Sequence, residues 1–480
     1  KGRFSMDLCE KVEADVVVIG GGGAGIAAAI AAAEKGVNVV VLEKRGSPGG
    51  NSVFPAGPFA AESPVQKRLG IDAPRDVFFK EAMKYSHWRL NPRIIRAYID
   101  KTGDTIRWLE EKGVEFTGLR TLYPAQRIPV WHMIKDVGAR HLFKVLLKNC
   151  EELGVKVLRR TAAKKILTDE KGRVTGVLAS TKEKEIIINT KSVIIATGGY
   201  GGNKELLKKY YPNYHENMYN CGLPHMGDGL LMAIEIGAAT DGLGIIQLNG
   251  PRVPGSNVVT RIAQNPDNIL VNKKGERFVD ETLVPFPELG NAVDRQPEKI
   301  VYAVFDEKIK QSFIERWVED YKMEMPSVTM MKEEFQRYMD KGYVKSSNSW
   351  DEIAEWMSVD PEALKATINE YNSFCDNGHD EIFVKDKNHL VPLRTPPYYA
   401  IKTYSGYYNT IGGIKINHHM EVLDKRDRPI PGLYAAGVDV GGWETETYNA
   451  NLSGSTFSFA LNSGRIAGEN AADYVAALKT

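Results

Sequence analysis

The N-terminal hydrophobic pattern combines short apolar runs with a block of glycines. Residues 15–19 read DVVVI, residues 24–35 are rich in alanine, and residues 37–42 form a second apolar run that ends at Glu43. A β-branched run predicts a buried strand, and an alanine-rich stretch predicts a helix. The order strand, glycine loop, helix, strand predicts a βαβ unit. The five glycines within residues 16–33 argue against a transmembrane segment there.

Further along the chain, the pattern alternates between helical and strand-like segments. Residues 76–112 have helical periodicity, interrupted only by Asn91-Pro92. The β-branched runs at 155–179 and 185–195 predict strands and a hairpin, and residues 193–199 predict a buried strand that runs into glycines. This mixture of elements predicts an α/β protein.

A shift in character near residue 246 predicts a second domain. Residues 300–375 are more charged than their flanks and are predicted to be helical. From about residue 393 the glycine-rich strand pattern resumes and ends in a predicted helix at 463–478. The predicted limits are 1–245 and 393–480 for a discontinuous first domain, and 246–392 for a domain inserted into it.

Composition excludes several classes of protein. The chain has 62 Lys and Arg against 61 Asp and Glu, a formal charge of +1, so no nucleic-acid partner is expected. The cysteines lie far apart, without CxxC or CxxCH spacing, at Cys9, Cys150, Cys221 and Cys375. This spacing argues against a zinc ribbon, an attached haem and a disulfide framework, and we expect no metal. Free thiols fit a reducing compartment, so we expect a cytoplasmic protein without a transmembrane segment.

The glycine block has the spacing of a dinucleotide-binding loop. Gly20, Gly22 and Gly25 satisfy GxGxxG between a predicted strand and a predicted helix. Glycines there allow a tight turn and let the backbone approach a pyrophosphate, which the helix N-terminus faces with its partial positive charge. Glu43, eighteen residues after Gly25, is placed to accept hydrogen bonds from a ribose and would repel a 2′-phosphate.

Three further glycine clusters favour FAD over NAD. They read PGGNS at 48–52, ATGG at 196–199 and PGLYAAG at 431–437. An extended FAD molecule needs close backbone approaches from distant parts of the chain, and an NAD site rarely needs the last of these clusters.

Together these motifs resemble the FAD-dependent flavoprotein superfamily of fumarate reductase, succinate dehydrogenase and 3-ketosteroid dehydrogenase. The stretches that carry the resemblance follow the order of the family over nearly the whole chain: 17–25 with Glu43, 49–52, 196–199, 227–229, 269–281, 410–413, 431–437 and 464–468. The resemblance implies a Rossmann-like FAD-binding domain with an inserted α+β capping domain. It also implies hydride transfer at flavin N5 to or from a carbon–carbon bond, in an active site over the flavin between the domains.

The resemblance further implies which residues hold the cofactor. The ADP half would be bound by Gly20, Gly22, Gly25 and Glu43. The pyrophosphate and flavin would be lined by Lys44, Gly50, Asn51, Ser52, Ala56 and Gly57. The adenosine side and the ribityl–phosphate region would be contacted by Thr197, Gly198, Gly437 and Asp439. The flavin pyrimidine edge would meet the start of the last helix at Ser453, Ser455 and Thr456. Some members tether FAD through a histidine near residues 49–52, and none stands there, so noncovalent FAD is expected.

The sequence departs from fumarate reductases where those enzymes bind two carboxylates. They use two histidines and two arginines, one of which donates a proton, and the corresponding positions here hold Asn249, Pro285, Asn409 and Asn451. Each lost charge-assisted hydrogen bond removes about 1.5–3 kcal/mol of binding. We therefore expect a substrate that is not a dicarboxylate. The expected substrate contacts are Asn249, Thr260, Asn409 and Asn451.

Tyrosines are the candidates for the missing acid. Tyr448 precedes the last flavin loop in a pattern similar to that of ketosteroid dehydrogenases, and Tyr407 and Tyr408 precede the glycines at 412–413. A phenol of pKa near 10 can donate a proton without carrying charge at rest. The alternative is that these tyrosines are half-buried interface aromatics. Among the nearby basic side chains, a loop histidine such as His225 is more often a surface residue, and the alternative is that it reaches the cleft. Arg252 and Arg261 are interpreted as binding one carboxylate or as solvated.

The sequence thus predicts an FAD-dependent oxidoreductase that acts on a CH–CH or C=C bond, as an ene-reductase or as an α,β-dehydrogenase. The expected substrate is an enone, an enoate, a steroid-like or an aromatic compound. No second strand–GxGxxG–helix is present for a nicotinamide, so we expect an external protein or quinone-like electron carrier. Two alternatives stay open, namely a flavin-dependent amine or amino-acid oxidase and a non-catalytic electron-transfer subunit.

Overall fold

The computed structural model describes residues 9–122, 127–135, 139–284, 287–320 and 327–479. Its strands are β1 (Cys9–Glu13), β2 (Val16–Ile19), β3 (Val39–Glu43), β4 (Phe116–Arg120), β5 (Trp131–Ile134), β6 (Lys156–Arg159), β7 (Ala162–Thr168), β8 (Val174–Ser180), β9 (Glu185–Asn189), β10 (Ser192–Ile195), β11 (Tyr219–Asn220), β12 (Thr240–Asp241), β13 (Ile246–Arg252), β14 (Ile269–Asn272), β15 (Ile300–Asp306), β16 (Val344–Ser347), β17 (Tyr398–Thr410), β18 (Gly413–Ile414), β19 (Glu421–Leu423) and β20 (Pro429–Ala435). Its helices are α1 (Gly23–Glu34), α2 (Pro64–Arg68), α3 (Arg75–Tyr85), α4 (Pro92–Glu111), α5 (Ala139–Glu152), α6 (Lys204–Tyr210), α7 (Asp228–Glu235), α8 (Asn257–Ala263), α9 (Glu288–Asp294), α10 (Glu307–Asp320), α11 (Val328–Asp340), α12 (Trp350–Met357), α13 (Pro361–Asn377) and α14 (Ser455–Ala477).

The chain forms two compact units, each built from separate stretches. Unit 1 comprises Lys1–Pro212, Gly222–Ile246 and Asn409–Thr480. Unit 2 comprises Asn213–Cys221 and Gln247–Tyr408. The domain limits drawn from the sequence stay a prediction.

The main sheet of unit 1 is the predicted Rossmann-like sheet. Its strand order is β19-β20-β10-β2-β3-β6, and the pairs from β20 to β6 are parallel. Every residue of β2 and β3 is buried, as expected for β-branched strands of a parallel sheet that is covered on both faces. Helix α1 connects β2 to β3, which confirms the βαβ unit and the α/β class.

Helices α1 and α14 pack at a distance that only glycine permits. A Cβ atom on Gly464 would lie 2.2 Å from the carbonyl oxygen of Ala24, and one on Gly468 would lie 2.2 Å from that of Ala28. The alanine-rich face of α1 therefore meets the glycines of α14 backbone to backbone.

The helical and hairpin predictions hold with local differences. The stretch 76–112 forms α3 and α4, and Asn91 caps α4 by accepting hydrogen bonds from the backbone N–H of Arg93 and Ile94. The hairpin β7–β8 turns at Gly172, which has φ +76°. Among the helices of the described residues, none is both long and apolar enough to span a bilayer.

Unit 2 combines an antiparallel sheet with helices, which is the predicted α+β composition. The order is β11-β17-β15-β14, with β13 and β16 also paired to β17. The prediction of a helical segment from residue 300 onward was wrong for β15, all seven residues of which are buried. Its apolar run pairs with β17, and this tertiary contact outweighs the helical character of the charged residues that follow.

A buried ionic network lies in unit 2. The Nη2 atom of Arg277 lies 2.8 Å from Oε2 of Glu281 and 2.9 Å from Oδ2 of Asp380. Lys385 Nζ lies 3.2 Å from the same oxygen of Glu281. All four side chains are at most 3% exposed. Two positive and two negative groups thus neutralise one another away from water.

Asp380→Ala is expected to lower the free energy of unfolding by about 3–5 kcal/mol, because it leaves the buried Arg277 without one of its partners. Asp376→Ala is the matched control. Asp376 pairs with Arg394 at the surface, where both side chains are more than half exposed. Such pairs contribute about 1 kcal/mol or less. Urea denaturation of both variants measures the difference, and equal losses would contradict a special role for the network.

The stability difference between wild type and Asp380→Ala is expected to depend on pH. Burial alone would raise the pKa of Asp380, but the backbone N–H of Phe383 and the Arg277 guanidinium outweigh it and hold the pKa below its usual value. The stabilisation is therefore present above the unfolded-state pKa of about 3.9 and is lost as pH falls through the lower folded-state pKa. The difference between wild type and Asp380→Ala should shrink in acid.

Candidate functional site

The loop between β2 and α1 requires its glycines. Gly20 has φ +107°, and a Cβ there would lie 2.2 Å from the carbonyl oxygen of Ala196. A Cβ on Gly25 would lie 1.9 Å from the carbonyl oxygen of Gly20. Gly22 differs, because the nearest atom to its Cβ position is the Gly49 oxygen at 3.9 Å. Backbone atoms thus exclude a Cβ atom at Gly20 and Gly25, whereas a Cβ atom at Gly22 would make only an ordinary contact.

Glu43 braces this loop from the end of β3. Its Oε2 accepts a hydrogen bond from the backbone N–H of Gly21 at 3.0 Å, and its Oε1 accepts one from that of Arg45 at 2.7 Å. The carboxylate is buried. Carboxylate oxygens can accept further hydrogen bonds, so ribose binding stays a prediction for this residue.

The second predicted loop lies beside the first. Gly22 and Gly49 form a parallel β-bridge, and the Ser52 hydroxyl accepts a hydrogen bond from the backbone N–H of Gly23 at 3.2 Å. Asn51 donates from Nδ2 to Oδ1 of Asn409 at 2.6 Å. Gly50 has φ +54°. The structure therefore brings the residues predicted at 20–25 and 50–52 together.

Ala56 and Gly57 lie against β5. The Ala56 carbonyl oxygen accepts a hydrogen bond from the N–H of Ile134 at 3.0 Å, and the Gly57 oxygen accepts one from Trp131 Nε1 at 2.7 Å. A Cβ on Gly57 would lie 1.7 Å from the carbonyl oxygen of His132. Gly57 is thus required by backbone packing within unit 1.

Asp439 holds the glycine turn that follows β10. Its buried carboxylate accepts hydrogen bonds from the backbone N–H of Gly199 at 2.8 Å and of Gly198 at 3.1 Å. It also accepts from the backbone N–H and the hydroxyl of Thr197. Burial raises the pKa of Asp439, although these donors oppose the change. Gly437 donates from its N–H to Ser463 Oγ at 2.9 Å. Thr197, Gly198, Gly437 and Asp439 thus share one neighbourhood, and a direct contact with FAD stays a prediction.

The interpretation of His225 as a surface residue was wrong, because its half-buried ring lies against the same turn. A Cβ on Gly198 would lie 2.9 Å from Nε2 of His225, and one on Gly50 would lie 3.9 Å from it. Burial, with a smaller effect of Arg45 and Lys44, lowers the pKa of His225 to about 4, so the ring is neutral near pH 7. The sequence signal for a site role of His225 was its position two residues before Gly227.

The predicted cofactor residue Lys44 forms an exposed ion pair with Asp228 at 2.6 Å.

The start of α14 carries buried hydroxyl groups. Helix α14 begins after Gly454, which has φ +84° and supplies no side-chain cap. Ser455 Oγ and Thr456 Oγ1 are buried and have no well-formed hydrogen bond within the described residues. Burial raises the pKa of the neighbouring Tyr448, and the side chains of Ser455 and Thr456 oppose this. Ser453 Oγ accepts a hydrogen bond from Leu122 N–H at 3.1 Å.

A small cavity in unit 1 is lined in part by Glu444, a residue that the sequence analysis did not single out. Tyr85, Tyr98, Glu444 and Ser455 are among the residues that line it. Burial raises the pKa of Glu444 to about 8, so its carboxyl group is mostly protonated at neutral pH. The Tyr85 hydroxyl donates to the carbonyl oxygen of Tyr448 at 3.1 Å.

Unit 2 brings two of the predicted residues together. Tyr408 is half-buried on β17, and its hydroxyl lies beside the side-chain amide of Asn249. Burial raises the pKa of Tyr408, and the charge of Arg252 and the Asn249 hydrogen bond oppose this. Tyr407 is buried, and as the preceding residue of the strand it points to the opposite face. The hydroxyl of Thr260 is already engaged, since it donates to the Ser256 carbonyl oxygen at 2.6 Å.

The remaining positions of the expected carboxylate clamp carry amides. Asn451 Nδ2 donates to Oε1 of Glu81 at 2.7 Å, and Asn409 accepts from Asn51 as described above. Pro285 lies outside the described residues. The described clamp positions therefore present uncharged side chains, one of them paired with a carboxylate.

Unit 1 offers what a bound FAD requires. Helices α1 and α14 both begin without a side-chain cap and without an acidic residue in the first turn, so their N–H groups suit an electron-rich ligand. The uncrowded backbone at Gly22 and the buried hydroxyls of Ser455 and Thr456 are further places where a ligand could bind.

Comparison with known proteins agrees with this geometry. Residues 15–454 match the FAD binding domain family. A vinyl phenol reductase of Lactiplantibacillus plantarum is 34% identical over 495 residues, which cover 98% of each chain. A cytochrome-type fumarate reductase of Shewanella frigidimarina is 30% identical over 96% of this chain and 77% of its own length. The fold matches that of a 3-ketosteroid-Δ4-(5α)-dehydrogenase from Rhodococcus jostii with a TM-score of 0.76 at 24% identity, covering 98% and 99% of the two chains. The chain therefore belongs to the FAD binding domain family and is an FAD-dependent oxidoreductase.

Proposed function

We propose that this protein reduces a conjugated C=C bond in a substrate that carries at most one negative charge. Reduced FAD supplies the hydride, and an external protein or quinone-like carrier supplies the electrons. The residues of the chain bind the substrate, orient it and manage its protons. Noncovalent FAD and a cytoplasmic location stay predictions.

The uncharged clamp positions are the observation that carries this proposal. A dicarboxylate needs cations at both ends, and the described candidates are Asn249, Asn409 and Asn451. Asn451 is also hydrogen-bonded to Glu81, whose carboxylate would repel a substrate carboxylate. The site chemistry therefore disfavours fumarate.

Overall identity does not separate the possible substrates. The vinyl phenol reductase and the fumarate reductase match at 34% and 30%. The uncharged side chains at the clamp positions support a substrate like that of the relative whose named substrate has no carboxylate.

Tyr408 is the preferred proton donor or oxygen ligand. Its hydroxyl is fixed by Asn249, and the half-buried ring keeps some access to solvent or substrate. A phenol held in this way can donate a proton to the α-carbon of the substrate or to its carbonyl oxygen. Tyr448 is the competing candidate, since its phenol is buried beside the uncapped end of α14.

An acceptor panel tests the proposal. The flavin of the purified holoprotein is reduced anaerobically, and the absorbance of oxidised flavin is followed after fumarate, cinnamate, a cyclic enone, 4-hydroxystyrene or a 3-oxo-4-ene steroid is added. We expect at least one monoanionic or neutral alkene to reoxidise the flavin at least about 100-fold faster than fumarate, because two or more charge-assisted bonds of about 1.5–3 kcal/mol are missing. Rapid reoxidation by fumarate alone would contradict the proposal.

A further inference from the structure

Arg252 in unit 2 is held in place by packing, without a carboxylate partner. Its Cγ atom would lie 2.5 Å from a Cβ atom on Gly406, so the glycine makes room for the arginine side chain across β17. Within the described part of the chain, the ion pairs do not include Arg252. One of its donors, Nη2, is hydrogen-bonded to Oδ1 of Asn257 at 2.9 Å.

Two buried polar atoms, one of Arg252 and one of the neighbouring Asn249, lack a hydrogen-bond partner within the described residues. Arg252 Nε and Asn249 Oδ1 are both buried without a hydrogen bond in the described residues, and Asn249 is only 2% exposed. Leaving a buried polar group without a hydrogen bond destabilises the folded protein. Such groups are expected where a ligand completes the hydrogen bonds.

Tyr408 completes the group. Its phenol is hydrogen-bonded to the Asn249 side chain, and burial raises its pKa although the positive charges of Arg252 and Arg261 oppose the change. The three side chains of Arg252, Asn249 and Tyr408, which we call the oxygen site, combine the positive charge of a half-buried arginine with two neutral polar groups. Such a set suits a single oxygen that carries or develops negative charge.

We infer that the oxygen site binds the hydroxyl oxygen of a 4-hydroxyaryl alkene and favours its loss of a proton. This inference rests on the proposed function and narrows its substrate class. A phenol fits better than a carboxylate, because the Nε and Nη2 edge that would hold a carboxylate bidentately is partly taken by Asn257.

The chemistry of such a substrate requires this oxygen. A 4-hydroxystyrene is electron-rich and accepts hydride only as its quinone methide tautomer. That tautomer forms when the phenol loses a proton and the terminal alkene carbon gains one. The benzylic carbon then accepts the hydride that reduced FAD supplies, and the resulting phenolate takes up a proton to give the 4-ethylphenol. Two electrons and two protons are added overall, and the charge of Arg252 stabilises the oxygen throughout.

The test compares 4-hydroxystyrene with 4-methoxystyrene as oxidants of the reduced holoenzyme. The methoxy compound cannot lose the proton, so we expect its reduction to be at least about 100-fold slower. Arg252→Met should slow the reduction of 4-hydroxystyrene by about 10–100-fold, which corresponds to one lost charge-assisted hydrogen bond. Arg295→Met is the matched control, because Arg295 is an exposed arginine of the same unit. It should leave the rate unchanged.

A cyclic enone separates failure of this inference from failure of the proposed function. The enone needs no phenolic proton, so its reduction should be less affected by Arg252→Met. Equal rates with the hydroxy and methoxy compounds, or an unaffected Arg252→Met, would overturn the inference while leaving alkene reduction intact. If Arg252→Met loses FAD, binding of 4-ethylphenol to oxidised wild-type protein decides. It should perturb the flavin spectrum at concentrations about tenfold lower than 4-ethylanisole does, and equal affinities would overturn the inference.

Discussion

Gly25→Ala is expected to yield protein that has lost most of its FAD. The added methyl group would lie 1.9 Å from the carbonyl oxygen of Gly20, which is far inside contact distance and is backbone rather than a movable side chain. The loop between β2 and α1 must therefore shift. A backbone displacement of this kind costs about 1–3 kcal/mol. This corresponds to a rise in the dissociation constant of FAD of roughly 5–150-fold. Fluorescence titration of the apoprotein with FAD measures it.

Gly46→Ala is the matched control for this prediction. It is the same substitution in the loop after β3, and the nearest atom to the new methyl group would be Arg160 Nε at 3.5 Å, an ordinary contact to an exposed side chain. FAD affinity should change less than about threefold. If Gly25→Ala binds FAD as tightly as Gly46→Ala, the loop does not hold the cofactor in the way proposed.

Tyr408→Phe is expected to slow reoxidation of the reduced flavin by an alkene about 10²–10⁴-fold, which is the usual contribution of a positioned acid or hydrogen-bond donor. FAD content should stay normal, because Tyr408 belongs to unit 2 and the candidate cradle belongs to unit 1. Stopped-flow mixing of the reduced protein with the best alkene of the panel measures the rate of the chemical step.

Two variants make the tyrosine experiment decisive. Tyr404→Phe removes a phenol from the same strand, four residues away, and should leave the rate within about threefold. Tyr448→Phe tests the competing candidate. A large loss in Tyr448→Phe together with a normal rate in Tyr408→Phe would assign the proton to Tyr448 instead.

Local patterns predicted the cofactor fold because its requirements are local. The strand, the glycine loop and the helix of the βαβ unit follow one another within thirty residues, and Gly25 is required by the carbonyl oxygen of Gly20 in the same turn. Requirements of this kind are visible in the sequence as the fixed spacing of the glycines between the strand and the helix.

Partners distant in sequence were not predictable in the same way. Asp439 binds the turn at 197–199 from more than two hundred residues away, and Asn51 meets Asn409 across an even longer separation. A single sequence carries no periodicity that links such positions, so the contacts follow only from the tertiary fold. The burial of His225 and Glu444, which alters the pKa of both, depends on packing of the same kind.

Strand β15 shows a related limit. Its apolar run precedes a charged helix, so average composition over the region indicated helix. The pairing of β15 with β17, almost a hundred residues later, determines the strand.

The pairing of β13 with β17 affects how readily the larger segment of unit 2 can be replaced by another segment. These are the strands by which the chain enters and leaves the larger segment of unit 2, and they are hydrogen-bonded neighbours. The two ends of that segment are therefore adjacent, as the ends of a short loop would be. Loop-closure entropy grows only logarithmically, by about 0.6 kcal/mol for each doubling of length. Segments of very different size can thus be exchanged at this point during evolution or in a designed chimaera, while the nucleotide cradle keeps its own connections.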